Sequence, residues 1–370
     1  MKSSFWLNGL KYAVGFGLLG AIIYGYWGPT PGKLTYDEKA LTFLTGGLAD
    51  AQIKQDKATP GIGDLLVRPM NFGPLLAASL IWAVALSITF VRWYILVRAQ
   101  DLPFTVRNAF RLGLVSSFFN SILPGSVGGD IFKAVAIARE QSRRTVAVAT
   151  IVVDRVLGLW ALAWLVAVSG GLFWLTDNPV LATNENLKVI VRVTAFLVIV
   201  SGSVFILMGM VPEERSGRIA ARLARLPKVG GSAAELWRAG VMYRKKLKSL
   251  GAAFCLTVVG HLGWVVIFYL CVLSFPDLKA PAFSEHLLIV PVGMTAQAAF
   301  PMPGGVGGGE AAYGWLYTLV GVPATGGIIG CLLQRIIAWG IGMIGYMVYL
   351  RMKKEIPPAE LEAARVAAAA

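Results

Sequence analysis

Residues 124–130 read Pro-Gly-Ser-Val-Gly-Gly-Asp, and residues 303–310 read Pro-Gly-Gly-Val-Gly-Gly-Gly-Glu. Each segment lies between two apolar stretches that are too short to cross a membrane alone. Irregular backbone at membrane depth is tolerated only where protein buries it or where it lines a water-filled cavity. Two similar loops of this kind therefore indicate a repeated unit with a site between its two copies.

Six other stretches are long and apolar enough for a spanning helix, which needs about 20 mostly apolar residues. They cover residues 6–27, 73–97, 147–175, 189–211, 250–275 and 323–350. The composition of the whole chain agrees with a membrane protein, because 56% of its 370 residues are hydrophobic and 15% are charged. Soluble proteins average about 25% charged residues. The sequence therefore excludes a soluble enzyme.

Basic residues set the expected orientation, because short loops rich in Lys and Arg stay in the cytoplasm. Residues 212–248 carry ten basic and three acidic side chains, whereas residues 28–72 carry five of each. We therefore expect both termini and residues 212–248 in the cytoplasm, and residues 28–72 outside. With this orientation, the chain around each glycine-rich segment must leave and return on the same side of the membrane.

The sequence predicts an all-α polytopic membrane protein with six full spans and two re-entrant helical hairpins that enter from opposite faces. This is the pattern of inverted-repeat transporters. The expected units, in chain order, are a first span with a polar outer segment (1–72, helical over 36–53), a first repeat (73–211, hairpin 101–144), a basic cytoplasmic amphipathic segment (212–248), a second repeat (249–354, hairpin 284–321) and a disordered tail (355–370).

Charged residues inside the apolar stretches cost roughly 2.5–3.5 kcal/mol each on insertion, so each needs a partner or a function. Asp154 and Arg155 lie inside the third predicted span, and Arg335 lies inside the sixth. Adjacent residues on a helix point about 100° apart, so Asp154 and Arg155 are expected to pair with other elements. We predict that Arg155 pairs with Asp130 and that Arg335 pairs with Glu310.

Two interpretations of these pairs stay open. In the structural one, the pairs hold the re-entrant helices, and Asp130 and Glu310 cap the amides at the helix N-termini. In the functional one, Arg155 and Arg335 bind an anionic headgroup beside the exposed amides of the loops.

Other polar residues have simpler explanations. Arg92 and Arg98 lie near the inner end of the second span, where long side chains reach the headgroups. His261 is expected to hydrogen-bond a neighbouring helix. The three cysteines have no metal-ligand spacing, so neither a metal site nor a cofactor is expected.

Between Glu213 and Leu226, arginines recur at helical spacing opposite apolar residues, which predicts an interfacial helix on anionic lipid. No aromatic platform accompanies these arginines, so nucleic-acid binding is not expected.

Four motifs occur in order along the chain: Asn120 to Gly125 with Gly128 to Asp130, Val153-Asp154-Arg155-Val156-Leu157-Gly158, Pro301 to Glu310, and Arg335 in the last span. Together they resemble the membrane region of the lysylphosphatidylglycerol synthase and flippase family over about residues 72–350. The resemblance implies an inverted-repeat lipid flippase, with aminoacylation confined to a separate soluble domain. Because about 20 residues follow the last span, we expect no aminoacylation by this chain. Two positions depart from the family pattern, with Asp130 in place of the usual glutamate and Lys133 in place of an expected arginine.

The residues and the resemblance predict a flippase or scramblase-like transporter for an anionic or aminoacylated phospholipid, or a related lipid, with its headgroup in a midplane cavity. The candidate substrate-binding residues are Arg155, Arg335, Asp154, Glu310, Asp130, Asn120, Gly128, Gly129, Gly304, Gly305 and Gly307. A membrane enzyme acting on a lipid-linked group and a membrane scaffold stay as alternatives. We expect a transporter rather than an enzyme, because the polar residues form no nucleophile or acid/base constellation.

The expected location is the inner membrane of a bacterial or archaeal cell, and the expected partners are membrane lipids. A second copy of the chain, or a separate lipid-modifying enzyme, could act with it.

Overall fold

The computed structural model of the chain describes residues 2–29, 34–35, 54–55, 60–123, 127–226 and 230–353. These residues form a two-residue antiparallel strand pair, β1 (Leu34–Thr35) with β2 (Lys54–Gln55). Their helices are α1 (Lys2–Gly25), α2 (Ile62–Val67), α3 (Phe72–Ala99), α4 (Val106–Ile122), α5 (Gly128–Glu140), α6 (Arg144–Leu175), α7 (Pro179–Thr183), α8 (Glu185–Met210), α9 (Glu213–Leu223), α10 (Gly230–Tyr243), α11 (Leu247–Leu273), α12 (Phe283–Ala299), α13 (Gly308–Leu319) and α14 (Ala324–Lys353).

Five of the described helices are long and apolar enough to cross a membrane, namely α3, α6, α8, α11 and α14. They coincide with five of the six predicted spans. The first predicted span corresponds to α1. Its apolar part, Gly9–Gly25, is shorter than the five long helices. Its crossing of the membrane stays a prediction. The chain is a polytopic helical membrane protein.

Several other sequence predictions concern the regions around these spans. The helix predicted over 36–53 and the disordered tail predicted over 355–370 lie outside the described residues. The helix predicted from Glu213 to Leu226 is confirmed as α9, which ends at Leu223, and its place on anionic lipid stays a prediction. Helix α10 packs against α9, and the Trp237 indole Nε1 donates a hydrogen bond to the Ser216 hydroxyl at 3.0 Å.

Burial raises the pKa of the Tyr243 phenol at the end of α10.

Two series of four helices share the same order of lengths. In the first series, α3 to α6 have 28, 17, 13 and 32 residues, and in the second, α11 to α14 have 27, 17, 12 and 30. A glycine-rich segment separates the second helix from the third in each series. Asp130 and Glu310 are each the third residue of that third helix. The helix order therefore repeats along the chain.

The two series pack against each other reciprocally. Helix α3 lies against α11, while α4 packs on α14 and α12 packs on α6. Exchanging the two series therefore preserves the packing pattern.

Helices α3 and α11 run antiparallel, because Trp82 contacts Trp264 while Arg92, further along α3, contacts the earlier Thr257 of α11. Gly260 lies at their interface, where Ile88 and Ala85 are its nearest neighbours. Small residues at such positions let membrane helices approach closely.

The second series has a buried aromatic core around α13. The Tyr313 ring stacks on Phe268 of α11 with 4.3 Å between centroids, and the Tyr317 hydroxyl lies 2.7 Å from His286 Nε2 of α12. All four side chains are fully buried. These contacts fix the short helix α13 between α11 and α12, although it is too short to span a membrane itself.

Helix α1 lies against the second glycine-rich segment and also contacts the end of α4. The Tyr12 hydroxyl donates a 2.6 Å hydrogen bond to the Ile122 carbonyl at the end of α4, just before the first segment. Gly15 lies directly against the Met302 side chain, just before the second segment, because a Cβ there would come within 2.7 Å of it.

Candidate functional site

Arg335 and Glu310 form a buried ion pair at the second glycine-rich segment. Their side chains are 4% and 0% exposed, and Arg335 Nη2 lies 2.7 Å from Glu310 Oε1. Arg335 Nε donates to the same oxygen at 2.8 Å, and Nη1 donates to the Gly304 carbonyl at 2.8 Å. The other carboxylate oxygen of Glu310 accepts the Gly307 amide at 2.8 Å. The pair therefore ties α14 to the glycine-rich segment and to the first turn of α13.

The Gly307 backbone is shaped for this contact. Its φ of 81° lies in the left-handed region, which favours glycine because it has no Cβ. An added Cβ would come within 2.8 Å of the Gly15 carbonyl oxygen and 3.1 Å of the Leu18 side chain in α1. Glycine at this position allows both the hydrogen bond from its backbone amide to Glu310 and the close approach of α1.

Arg155 and Asp130 form the corresponding pair at the first segment. Arg155 Nε of α6 donates to Asp130 Oδ2 in the first turn of α5. In both pairs the arginine follows its carboxylate by 25 residues. The first pair is more open, since the Arg155 side chain is 36% exposed and that of Asp130 is 12% exposed. Both predicted pairings are confirmed.

The end of α4 supports the first segment through Asn120. Its Oδ1 accepts the Gly129 amide at 2.8 Å, at the beginning of α5. Gly129 lies so close to the Ser116 carbonyl oxygen that any larger residue would overlap it. The first amides of a helix have no hydrogen-bond partner within the helix. The Asn120 side chain supplies that partner for the Gly129 amide.

A third ion pair corrects the interpretation of Arg92. The prediction that Arg92 extends towards the headgroups is wrong, because its side chain is only 8% exposed and lies inside the bundle. Its Nε and Nη2 donate to the two oxygens of Asp154 at 2.7 and 2.8 Å, and Nη1 donates to Thr257 Oγ1 at 3.3 Å. A forked pair of this kind is strong and directional. It fixes α3, α6 and α11 together, and it turns Asp154 away from its neighbour Arg155.

Two further polar residues lie near this pair. His261 Nε2 lies 3.0 Å from the Gly158 carbonyl of α6, so the predicted hydrogen bond to a neighbouring helix is confirmed. The buried Lys133 ammonium of α5 lies 4.9 Å from the centre of the Trp93 ring, a cation–π contact.

A cavity of about 230 Å³ lies between the two series. Both series line it with amides or hydroxyls, and three tryptophans add large aromatic surfaces. Trp339 is 43% exposed, so the cavity reaches the surface of the bundle at that point. The lining residues are Trp82, Leu86, Ser117, Asn120, Ser121, Trp264, Gln297, Gly304, Gln334, Arg335, Ala338, Trp339 and Ile341.

The family model of the lysylphosphatidylglycerol synthase TM region matches residues 65–345. The chain belongs to this family. The matched range contains both glycine-rich segments, the three ion pairs described above and every residue that lines the cavity, whereas α1 precedes it. Neither the curated proteins nor the solved structures include a significant match to the chain.

Only some of the candidate residues meet in the cavity of this family member. Asn120, Gly304 and Arg335 line it. The remaining candidates do not line it. Glu310 and Gly307 lie around Arg335, and Gly305 lies against Gln297. The other candidates are Asp130, Arg155, Gly128 and Gly129 at the first ion pair, and Asp154, which pairs with Arg92.

Gln297 and Gln334 also line the cavity, and neither was predicted from the sequence. Gln297 lies two residues before the end of α12, as Asn120 does in α4, and its Nε2 donates to the Gly304 carbonyl at 3.0 Å. Gln334 precedes Arg335 as Asp154 precedes Arg155. Aligning the two repeats on their arginines and glycine-rich segments would have found both glutamines.

Proposed function

We propose that this family member is a flippase or scramblase-like transporter, which moves an anionic or aminoacylated phospholipid, or a related lipid, between leaflets. The cavity between the two helix series carries this proposal. A headgroup that crosses hydrocarbon loses its hydration, and polar groups without partners are costly there. The amides and hydroxyls that line the cavity replace that hydration, while Trp339 at its rim leaves a route for acyl chains in the surrounding lipid.

In this proposal, α4 with α5 and α12 with α13 are re-entrant hairpins, and α1 is a sixth span. The matched helix lengths, the reciprocal packing and the antiparallel α3 and α11 support an inverted repeat. The basic segment around α9 and α10 supports a cytoplasmic position for that segment and for both termini. The proposed location is the inner membrane of a bacterial or archaeal cell.

The two glycine-rich segments have different roles in transport. The Arg335 guanidinium is enclosed by Glu310 and Gly304, so its first role is to hold the second segment beside the cavity. Arg155 remains 36% exposed although it contacts Asp130, so it is better placed to meet a phosphate. Guanidinium suits phosphate because its planar fork can donate to two oxygens.

Purified protein in liposomes tests this proposal. The lipid carries a fluorescent acyl chain, and dithionite added outside destroys the fluorescence of the outer leaflet only. We expect the inner-leaflet signal to fall faster with protein than without it, in the absence of ATP. Ala338→Phe places a ring in the cavity and should slow transport at least tenfold, whereas Ala252→Phe, on an exposed position of α11, should not.

Two results would count against the proposal. Folded protein that moves none of the lipids tested would exclude lipid transport under these conditions. Recovery of a chemically altered lipid from the vesicles would favour the alternative of a membrane enzyme acting on a lipid-linked group.

A further inference from the structure

The charge inside the cavity is compensated. Among the described residues that line it, Arg335 is the one with a charged side chain. Its guanidinium is bonded to the Glu310 carboxylate and to the Gly304 carbonyl. An anion therefore meets a positive charge already neutralised by a carboxylate, and a cation meets no carboxylate in the lining. The lining thus favours an uncharged terminal group on the headgroup that enters the cavity.

The lining instead offers uncharged hydrogen-bonding groups from both series. Ser117 and Ser121 donate their hydroxyl hydrogens to carbonyls of α4, which leaves oxygen lone pairs for a ligand. The amides of Asn120 and Gln297 each use one side-chain atom on a glycine-rich segment. Such groups pair well with the hydroxyls of a ligand, which both donate and accept hydrogen bonds.

Gln334 supplies the most direct sign of a ligand. Its side chain lines the cavity, the residue is only 9% exposed, and its buried Oε1 has no hydrogen-bond partner among the described residues. Buried polar atoms in native proteins almost always have a partner, so this acceptor calls for a donor from a bound molecule. The equivalent position in the first series is Asp154, which Arg92 satisfies.

The aromatic walls and the size of the cavity limit the ligand further. Trp82 and Trp264 meet edge to face, with 4.3 Å between ring centroids, and Trp339 lies at the rim. Indole faces accept the apolar C–H surface of a ring while nearby polar groups bind its substituents. A volume of about 230 Å³ lies below the roughly 300–1,000 Å³ of sites for drug-sized ligands. One small ring or polyol therefore fits, and an oligosaccharide does not.

We propose that the cavity binds an uncharged polyhydroxy headgroup, a single sugar or a glycerol unit, in preference to a cationic aminoacyl headgroup. This inference rests on the proposed function, since it names the headgroup that the transported lipid brings into the cavity. Gln334 accepts a hydroxyl hydrogen of that headgroup, and Asn120 and Gln297 bind it from opposite series.

Transport assays with three lipids of identical acyl chains test the preference: monoglucosyl diacylglycerol, phosphatidylglycerol and lysyl-phosphatidylglycerol. We expect the first two to move at least tenfold faster than the third. Gln334→Leu removes the acceptor at similar volume and should slow the glucosyl lipid about tenfold while changing the lysyl lipid little. Gln334→Glu adds a carboxylate and should shift the preference towards the lysyl lipid. Ser121→Ala gives a second test if Gln334→Leu does not fold.

A lysyl lipid that moves as fast as the glucosyl lipid would overturn this inference, as would an equal slowing of all three lipids by Gln334→Leu. Saturation-transfer NMR with methyl glucoside and protein in nanodiscs separates the two proposals. If wild type contacts the sugar, Gln334→Leu loses that contact and no lipid is transported, the result would overturn lipid transport alone. No contact with the sugar in folded wild type would overturn the polyhydroxy site.

Discussion

Asn120 and Gln297 occupy the same place in two helices of equal length, two residues before the end, and both line one cavity. Asn120 accepts a backbone amide of the first glycine-rich segment, while Gln297 donates to a backbone carbonyl of the second. Each amide side chain thus contacts the backbone of the glycine-rich segment that follows its own helix. The same two side chains therefore connect Gly129 and Gly304 to the walls of the cavity.

Removal of the Glu310 charge should destabilise the protein. Glu310→Gln leaves Arg335 as a buried cation without its counter-charge, which typically costs about 3–5 kcal/mol. Glu310→Gln combined with Arg335→Gln removes both charges and should recover part of that loss. Thermal unfolding in detergent measures the stability of the four proteins of this double-mutant cycle.

The exposed pair of Glu185 with Lys188 is the control for that cycle. Glu185→Gln should change stability by less than about 1 kcal/mol, because surface ion pairs contribute little. If the double change at Glu310 and Arg335 is as damaging as the sum of the single changes, these residues do not stabilise each other.

Arg155 should matter for transport more than for folding. Its pair is more open than that of Arg335, so Arg155→Ala should leave a folded protein that moves lipid at least tenfold more slowly. Arg155→Lys keeps a point charge but loses the two-oxygen geometry, and it should restore transport only in part. Liposome transport together with circular dichroism checks both statements.

Arg218→Ala, at an exposed position of α9, is the matched control, because it removes one arginine away from the cavity. Equal transport by Arg155→Ala and wild type, with both folded, would exclude a role for Arg155 in headgroup binding.

Asp154 and Asp130 should differ in their effect on stability. Asp154 lies in the forked pair with Arg92, where both side chains are 8% exposed, whereas Asp130 faces the partly exposed Arg155. Asp154→Asn should therefore lower the unfolding temperature more than Asp130→Asn does. The two variants make the same chemical change, so each serves as the control for the other. A larger loss for Asp130→Asn would contradict the structural role given to Asp154.

Cysteine labelling checks the orientation. Ala182→Cys lies on the exposed surface of α7, and Gly217→Cys lies on α9, where a side chain meets no neighbour. With the native Cys255, Cys271 and Cys331 replaced by alanine, an impermeant maleimide added to whole cells should label position 182 only. Labelling of position 217 from outside would reverse the predicted topology.

The positions of the spans and of two ion pairs could be predicted from the sequence for a physical reason. Arg155 and Arg335 are too costly at membrane depth to lack a partner, and the glycine-rich segments supply the nearby carboxylates. Gln297 and Gln334 carry no charge, so no comparable cost marks them in an apolar stretch. Arg92 was misplaced because depth in a span does not tell whether a side chain faces lipid or protein. Its partner Asp154 became evident only from the packing of α3 on α6.

During synthesis, the carboxylate of each glycine-rich segment leaves the ribosome before its arginine, because 25 residues separate Asp130 from Arg155 and Glu310 from Arg335. Until the following long helix emerges, α5 and α13 each carry an acidic side chain without that partner. Neither short helix spans the bilayer by itself. Each ion pair is therefore completed only by the long helix made after its carboxylate, and a chain truncated before α14 would leave Glu310 without Arg335.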